Sequence, residues 1–227
     1  MKYLIIAAHP DDEVLGCGGS IAKWTNQGHE VKIIIIAEGL TSRSESRNLE
    51  IYKEKLVDLH NTSFQAANLL GASTELLSLP DNRLDSLDLL DIIKLVEKKI
   101  NEYTPDIIVT HHIGDLNIDH RLIHESVLTA CRPQPDHKVK RLMSFEVPSS
   151  TEWQSSSDSR HFVPNWFENI DSTILLKIKA LEIYKSEMRD WPHARSIDGV
   201  RSLAMWRGAS IGCEYAEAFM LVRNYEL

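Results

Sequence analysis

Two short polar clusters carry the residue types needed for metal-assisted hydrolysis. His9-Pro10-Asp11-Asp12-Glu13 directly follows the apolar run Tyr3–Ala8, and His111-His112-Ile113-Gly114-Asp115-Leu116-Asn117-Ile118-Asp119-His120 directly follows the run Asp106–Thr110. Imidazole nitrogen and carboxylate oxygen without thiolate suit zinc held by three protein ligands with one position left open for chemistry. Neighbouring carboxylates such as Asp11 and Asp12 point different ways in a tight turn, so one can bind a metal while the other reaches a water. The plainer alternative is that Asp11 or Asp12 caps a helix beginning near Val14, with Glu13 in its first turn. Capping explains neither His9 nor a matching His/Asp cluster behind another strand.

The two clusters meet only if their strands lie side by side. Tyr3–Ala8, Val31–Ala37 and Asp106–Thr110 are continuous apolar runs, as in strands buried on both faces. Between them lie helical patterns: Val14–Gln27 ending at Gly28, Ser44–Leu70 closed by Gly71, and Leu87–Tyr103, where Leu89, Leu90, Ile93, Val96 and Ile100 repeat at helical spacing. Alternating strands and helices predict an α/β fold: a mostly parallel, Rossmann-like sheet with helices on both faces and right-handed crossovers. Ligands of such sheets bind outside the carboxyl ends of the strands, where both clusters fall. Residues 1–140 form this part, and residues 141–227 read as a C-terminal cap of the same domain, with a soft boundary. In the cap, Ser149–Asn165 reads as a long loop, Ile174–Met188 and Ser196–Ile211 as helices, and Ala216–Val222 as a closing strand.

Composition narrows the class. The chain has 227 residues, 43% of them hydrophobic, which suits one domain with its own core. A net charge of −8 argues against nucleic acid or an anionic membrane as the main partner. Cys17, Cys131 and Cys213 are far apart and form no CxxC pair, which speaks against a disulfide framework or a thiolate metal site. Met1–Ala8 lacks the features of a signal peptide, and no apolar run approaches a bilayer span, so the expected location is the cytoplasm. Ten histidines are many for such a chain, which puts weight on where they sit.

His9-Pro10-Asp11-Asp12-Glu13 followed by Gly16, with Asp119-His120-Arg121 further on, resembles the LmbE-like, or PIG-L-type, zinc-dependent de-N-acetylases. Trp191-Pro192-His193-Ala194-Arg195-Ser196, Arg207-Gly208 and Ala216-Glu217-Ala218-Phe219 extend the resemblance in the same order over most of the chain. It implies one zinc per chain on His9, Asp12 and His120, with Asp11 as general base. Zinc would activate water and polarise an amide carbonyl, so an N-acetylated amino sugar of the N-acetylglucosamine type would give acetate and a free amine. Members of the family act on N-acetylglucosamine linked to inositol, malate, lipid carriers or short chitin oligomers. The implied partner is therefore a small amino sugar, a nucleotide sugar or a glycoconjugate. Two other classes stay open: a metal-dependent hydrolase of another bond, such as a phosphoester, and a catalytically weak zinc- or sugar-binding protein.

One position departs from the family pattern. Many members carry His-x-x-His in the second motif, and the first of these positions is here Asn117. Asparagine donates hydrogen bonds but does not shuttle protons, so Asn117 is expected at the catalytic site as a hydrogen-bond donor only. Asp11 is the favoured carrier of the proton from water to amine, with His193 as its electrostatic partner; His193 and His112 are the other candidates for the proton. Asp115 and Asp119 are expected to orient imidazoles, Asp119 being equally suited to cap the helix from His120. The neighbourhood of Arg43, Arg47 and Pro80-Asp81-Asn82-Arg83 is expected to contact substrate. Asp81 is favoured for sugar hydroxyls; the arginines would suit a phosphate, or simply a solvated helix start beside Glu45 and Glu50. Trp153, Trp166, Phe167 and Trp191 would suit sugar stacking, a homo-oligomer contact, or a small core under the loop. Gly16, Gly18 and Gly19 allow either close approach to a ligand or tight helix–sheet packing. His29, His60, His124, His137 and His161 have no expected role.

Overall fold

The structure is a computed structural model that describes residues 1–135, 139–155 and 160–226; His137 lies outside these. Among the described residues, seven strands form one sheet in the order β3-β2-β1-β4-β5-β7-β6. β1 (Lys2–Ala7), β2 (Glu30–Ala37), β3 (Ser73–Leu79), β4 (Ile107–His111) and β5 (Arg141–Phe145) are parallel. β7 (Ala216–Asn224) runs antiparallel to β5, and β6 (Trp166–Asn169) antiparallel to β7.

Both faces are covered, which is why the central strands read as unbroken apolar runs. Tyr3, Ile5, Ile33, Ile35 and Val109 pack into one core with α1 (Asp12–Asn26), α2 (Leu49–Leu69), α5 (Ile174–Ile183) and α6 (Ile197–Ala209). The alternate residues Leu4, Ile6, Ile34, Ile36 and Ile108 pack into a second core with α3 (Leu89–Tyr103) and α4 (Ile118–Ala130). β1 leads outward through β2 to β3, whereas its other neighbour β4 leads away through β5. The crevice between the carboxyl ends of β1 and β4 is therefore the topological switch point of the sheet. His9–Glu13 and His111–His120 emerge there.

Several elements differ from expectation. The helix expected from Ser44 starts at Leu49, with the Asn48 side chain accepting from the amides of Glu50 and Ile51. Upstream, Ser42 binds Asp81 through its amide and hydroxyl, and the Ser44 and Tyr52 hydroxyls bond each other. These local side-chain bonds compete with helix formation. The helix expected to reach Met188 ends at Ile183. The C-terminal segment does more than cap the sheet. β5 pairs with β4 across residue 140, and β7 and β6 extend the same sheet.

Helix α1 is broken at Cys17 (φ −149°, ψ 24°), inside Gly16-Cys17-Gly18-Gly19. The glycines serve packing: a Cβ on Gly16 would run into the Phe145 ring, and one on Gly19 into Ile170. The break frees backbone groups in a buried place, and one ion pair takes them up. Lys177 Nζ donates to the Leu15 carbonyl (2.8 Å) and to Glu217 (2.6 Å), and the Glu217 carboxylate accepts the amides of Gly19 and Ser20 (2.9 and 2.7 Å). The turn that carries Asp11–Glu13 is thus anchored to α5 and β7. Glu217→Ala strands a buried ammonium and two amides. It is expected to cost about 3–5 kcal/mol, read as a lower urea midpoint; an unchanged midpoint would remove the pair from this role.

Candidate metal centre

Asp12 lies at the centre of the crevice, fully buried. Its Oδ2 accepts the His9 amide (2.9 Å) and stands 3.2 Å from His9 Nδ1 and 3.1 Å from His120 Nε2. His120 Nε2 is 3.4 Å from His9 Nδ1. One donor atom from each of His9, Asp12 and His120 lies within 4.8 Å of the others. Asp12 Oδ1 is buried without a hydrogen-bond partner among the described residues. Native interiors rarely leave such an atom unsatisfied, and a cation would satisfy it. Two imidazole nitrogens and a carboxylate fit a zinc-type ion. Burial opposes ionisation of Asp12, but the His120 charge and the bonds from His120 and His9 outweigh it and hold Asp12 well below the carboxylate range.

The outer contacts of both imidazoles are built as well. His9 Nε2 is 3.2 Å from Asp119 Oδ2 and 3.4 Å from Asp81 Oδ1. These three form a second group of possible ligands that shares His9. A His9 that offers Nδ1 to the centre carries its proton on Nε2, and the two carboxylates are placed to accept it, which orients the ring. The Asp119 Oδ1 accepts the Leu84 amide (3.1 Å), and the Asp81 Oδ2 accepts Ser42. His120 Nδ1 is 3.1 Å from Asp115 Oδ1. Burial lowers the His120 pKa, but Asp12 and Asp115 overcome it and push His120 up to about 9. The His111 ring stacks on His120 at 3.8 Å, and His111 Nε2 accepts the Ala8 amide (2.8 Å). His111 therefore supports His120 from below, a part not anticipated from the sequence.

Asp11, the residue that precedes α1 at the N-cap position, lies in the left-handed region (φ 110°), and its side chain makes no capping bond. A left-handed conformation at a non-glycine residue is a strain that surrounding bonds must hold. Here the Asp11 amide donates to Glu13 Oε2 (3.1 Å), and Glu13 Oε1 accepts the Tyr184 hydroxyl (2.6 Å). Burial pushes Glu13 up to about 7. Freed from capping, the Asp11 carboxylate is met by Arg195 Nη1 at 2.7 Å. Burial raises the Asp11 pKa well above normal, Arg195 opposes this, and Asp12, Glu187 and Glu13 add to the rise. Arg195 lies inside Trp191–Ser196, one of the stretches that resemble the family, yet nothing in its spacing marks it as a partner of Asp11.

The other expected residues fall as follows. Asn117 caps α4: its Oδ1 accepts the Asp119 amide (2.8 Å), and its Nδ2 donates to Asn82 Oδ1 (2.8 Å). The cap of that helix is thus Asn117 and not Asp119. Asp115 lies behind His120, and Asp81 is turned toward His9 and Ser42, almost wholly buried. Arg47 is engaged by Glu38 through two bonds (2.9 and 3.2 Å), and Arg43 by Glu187 (2.6 Å). His193 accepts the Arg195 amide at Nδ1 (3.0 Å), with its ring against Trp153. His112 Nε2 donates to the Arg160 carbonyl (2.7 Å). Trp153 and Trp191 are exposed, whereas Trp166 and Phe167 belong to β6.

The chain is similar to several known proteins. The uncharacterised deacetylase YaiS of Escherichia coli K12 is 29% identical over 190 residues, 81% of this chain and 90% of that one. A 4-oxalmesaconate hydratase of Pseudomonas putida is 30% identical over 230 residues, 92% of this chain and 82% of that one. The solved N,N'-diacetylchitobiose deacetylase of Pyrococcus horikoshii has the same fold, with a TM-score of 0.77 at 22% identity over 98% of this chain and 84% of that one. Residues 4–131, more than half of the chain, match the family model described as GlcNAc-PI de-N-acetylase, and the chain belongs to this PIG-L (LmbE-like) family.

Proposed function

We propose that the protein is a zinc-dependent de-N-acetylase of an N-acetylated amino sugar or glycoconjugate, releasing acetate and a free amine. The observation that carries this reading is the convergence of His9, Asp12 and His120 on one point, with the uncapped Asp11 carboxylate beside them. Zinc bound there supplies Lewis-acid polarisation of the amide carbonyl and a more acidic water. Asp11 takes the proton of the attacking water as the carbon–oxygen bond forms. It returns that proton to the amide nitrogen as the carbon–nitrogen bond breaks, since an amide anion is too basic to leave unprotonated. In the metal-free protein, burial holds its pKa well above the carboxylate range, which favours uptake of a proton at this position. Asn117, bound on both sides as a helix cap, stays outside the proton path.

The arginines near the crevice are not all committed to carboxylates. Arg43, Arg47 and Arg195 are each paired with one, whereas Arg83 and Arg121 donate to backbone carbonyls. The crevice therefore suits a sugar presented through hydroxyls and leaves room for an anionic group on it. The hydratase relative marks the competing class, addition of water without release of a fragment. Zinc-loaded protein incubated with a panel of free and linked N-acetyl amino sugars is expected to release acetate and primary amine in equal amounts. Zinc bound with no acetate from any member of the panel would sink this reading, and a relative's hydration substrate consumed instead would establish the competitor.

A further inference from the structure

Residues 147–152, the loop that leaves β5, form a tight turn whose own bonds are complete. Thr151 donates its amide to the Val147 carbonyl (3.0 Å), and its hydroxyl accepts the Val147 amide (2.8 Å). The Glu152 carboxylate accepts the amides of Ser149 and Ser150 (2.7 and 3.2 Å), and Ser149 is held at φ 68°. Three consecutive hydroxyls then project from this turn to two different places. Ser150 Oγ and Thr151 Oγ1 donate to the two oxygens of Asp115, Thr151 at 2.6 Å. Ser149 Oγ accepts from Arg195 Nε (2.6 Å), the guanidinium whose Nη1 holds Asp11.

We propose that Ser149-Ser150-Thr151 is a positioning brace that sets the metal centre and the general base against each other. Ser150 and Thr151 act through Asp115 on His120, and Ser149 acts through Arg195 on Asp11. A carboxylate bound at both oxygens, with the Asn117 amide also on Oδ1 (2.9 Å), is fixed in place, so Asp115 keeps its charge 3.1 Å from His120 Nδ1 while the opposite ring nitrogen faces Asp12. Arg195, held at Nε by Ser149, likewise fixes the Asp11 oxygen it binds. The two chains of contacts start from this one turn and end on the consecutive residues Asp12 and Asp11. A shift of the turn would move both halves of the site together, whereas the single hydroxyls act on separate halves.

The inference rests on the proposed metal-dependent hydrolysis, and its test separates the two. Zinc affinity is measured by competition with a chelating dye, the absorption spectrum of the cobalt form is recorded, and kcat is measured at saturating zinc. Ser150→Ala and Thr151→Val are expected to weaken zinc by about 10–100-fold, the usual cost of losing an outer partner of a ligand, and to alter the cobalt spectrum. Thr151→Ser, which keeps the hydroxyl, should restore both. Ser149→Ala should bind zinc like the parent and lower kcat by about 10–100-fold through misplacement of the base. Melting of the metal-free variants reports any general loss of fold, and the Thr151→Ser comparison stands whatever that loss. The brace is overturned if Ser150→Ala and Thr151→Val bind zinc like the parent, or if Ser149→Ala changes zinc affinity as much as they do. It is equally overturned if Ser149→Ala keeps the parental kcat. A parent that binds zinc but releases no acetate overturns the deacetylase reading alone, and the affinity comparison still decides the brace.

Discussion

Asp11→Asn is expected to keep zinc and lose turnover, with kcat down by about 10²–10⁴-fold, the usual contribution of a positioned acid–base group. Asparagine is the substitution that isolates the proton. It has the shape of aspartate, and it is among the few residues that accept the left-handed conformation that Asp11 adopts. The bonds that hold the backbone there, from the Asp11 amide to Glu13 and from Tyr184 to Glu13, do not involve the Asp11 side chain and remain. What disappears is a carboxylate able to accept a proton from water and return it to nitrogen. Zinc content measured beside kcat makes the result decisive. Loss of zinc in Asp11→Asn, with zinc retained in Asp12→Asn, would exchange the roles of the two carboxylates, and parental turnover in Asp11→Asn would move the base elsewhere. Arg195→Gln should share the loss in kcat in a milder form, because it leaves Asp11 present but no longer held by the guanidinium at 2.7 Å.

The parts of this site that could be read from the sequence are those in which local order and chemistry coincide. Strands β1 and β4 are buried on both faces, so each is an unbroken apolar run, and each is followed at once by its polar cluster. The adjacency of the clusters then follows from the switch-point rule. β3, β5 and β6 were harder. β3 is an edge strand of mostly half-buried residues, β5 interrupts its apolar residues with Arg141 and Ser144, and β6 pairs only with β7. None offers a pattern that outweighs its polar neighbours. Arg195 illustrates a different limit. It meets Asp11 across 184 residues, and an arginine in a surface-like segment carries no periodicity that points to so distant a partner. His111 ends a strand, and its part, stacking under His120, depends on a ring geometry that spacing does not encode. Asn117 drew attention as a departure from the family pattern, and its place as the cap of α4 gives that departure a local physical reason.

Metal loading should depend steeply on pH, and in one direction. In the metal-free protein His120 has its pKa raised from 6.5 to about 9, because Asp12 and Asp115 outweigh the effect of burial, and His9 is raised as well by Asp119 and Asp12. A zinc ion must displace the proton on the nitrogen it takes. Apparent affinity should therefore rise with pH, by about tenfold per pH step for each proton displaced, until His120 titrates. Stability of the metal-free fold moves the other way. A histidine raised in the folded state contributes stability that is fully present below its unfolded pKa near 6.5 and is lost as pH climbs through about 9. The amount is on the order of 3 kcal/mol. Zinc-loaded protein is stabilised by mass action, by an amount that grows with the logarithm of its rising affinity. The gap in melting temperature between zinc-loaded and chelated protein should thus widen from pH 6.5 to 9, and comparing the two forms at each pH largely cancels groups such as Glu13 that titrate in both. His120→Ala should close the gap at every pH, since it removes a ligand together with the group that titrates. A gap that narrows as pH rises, or that survives in His120→Ala, would show that zinc does not bind through His120.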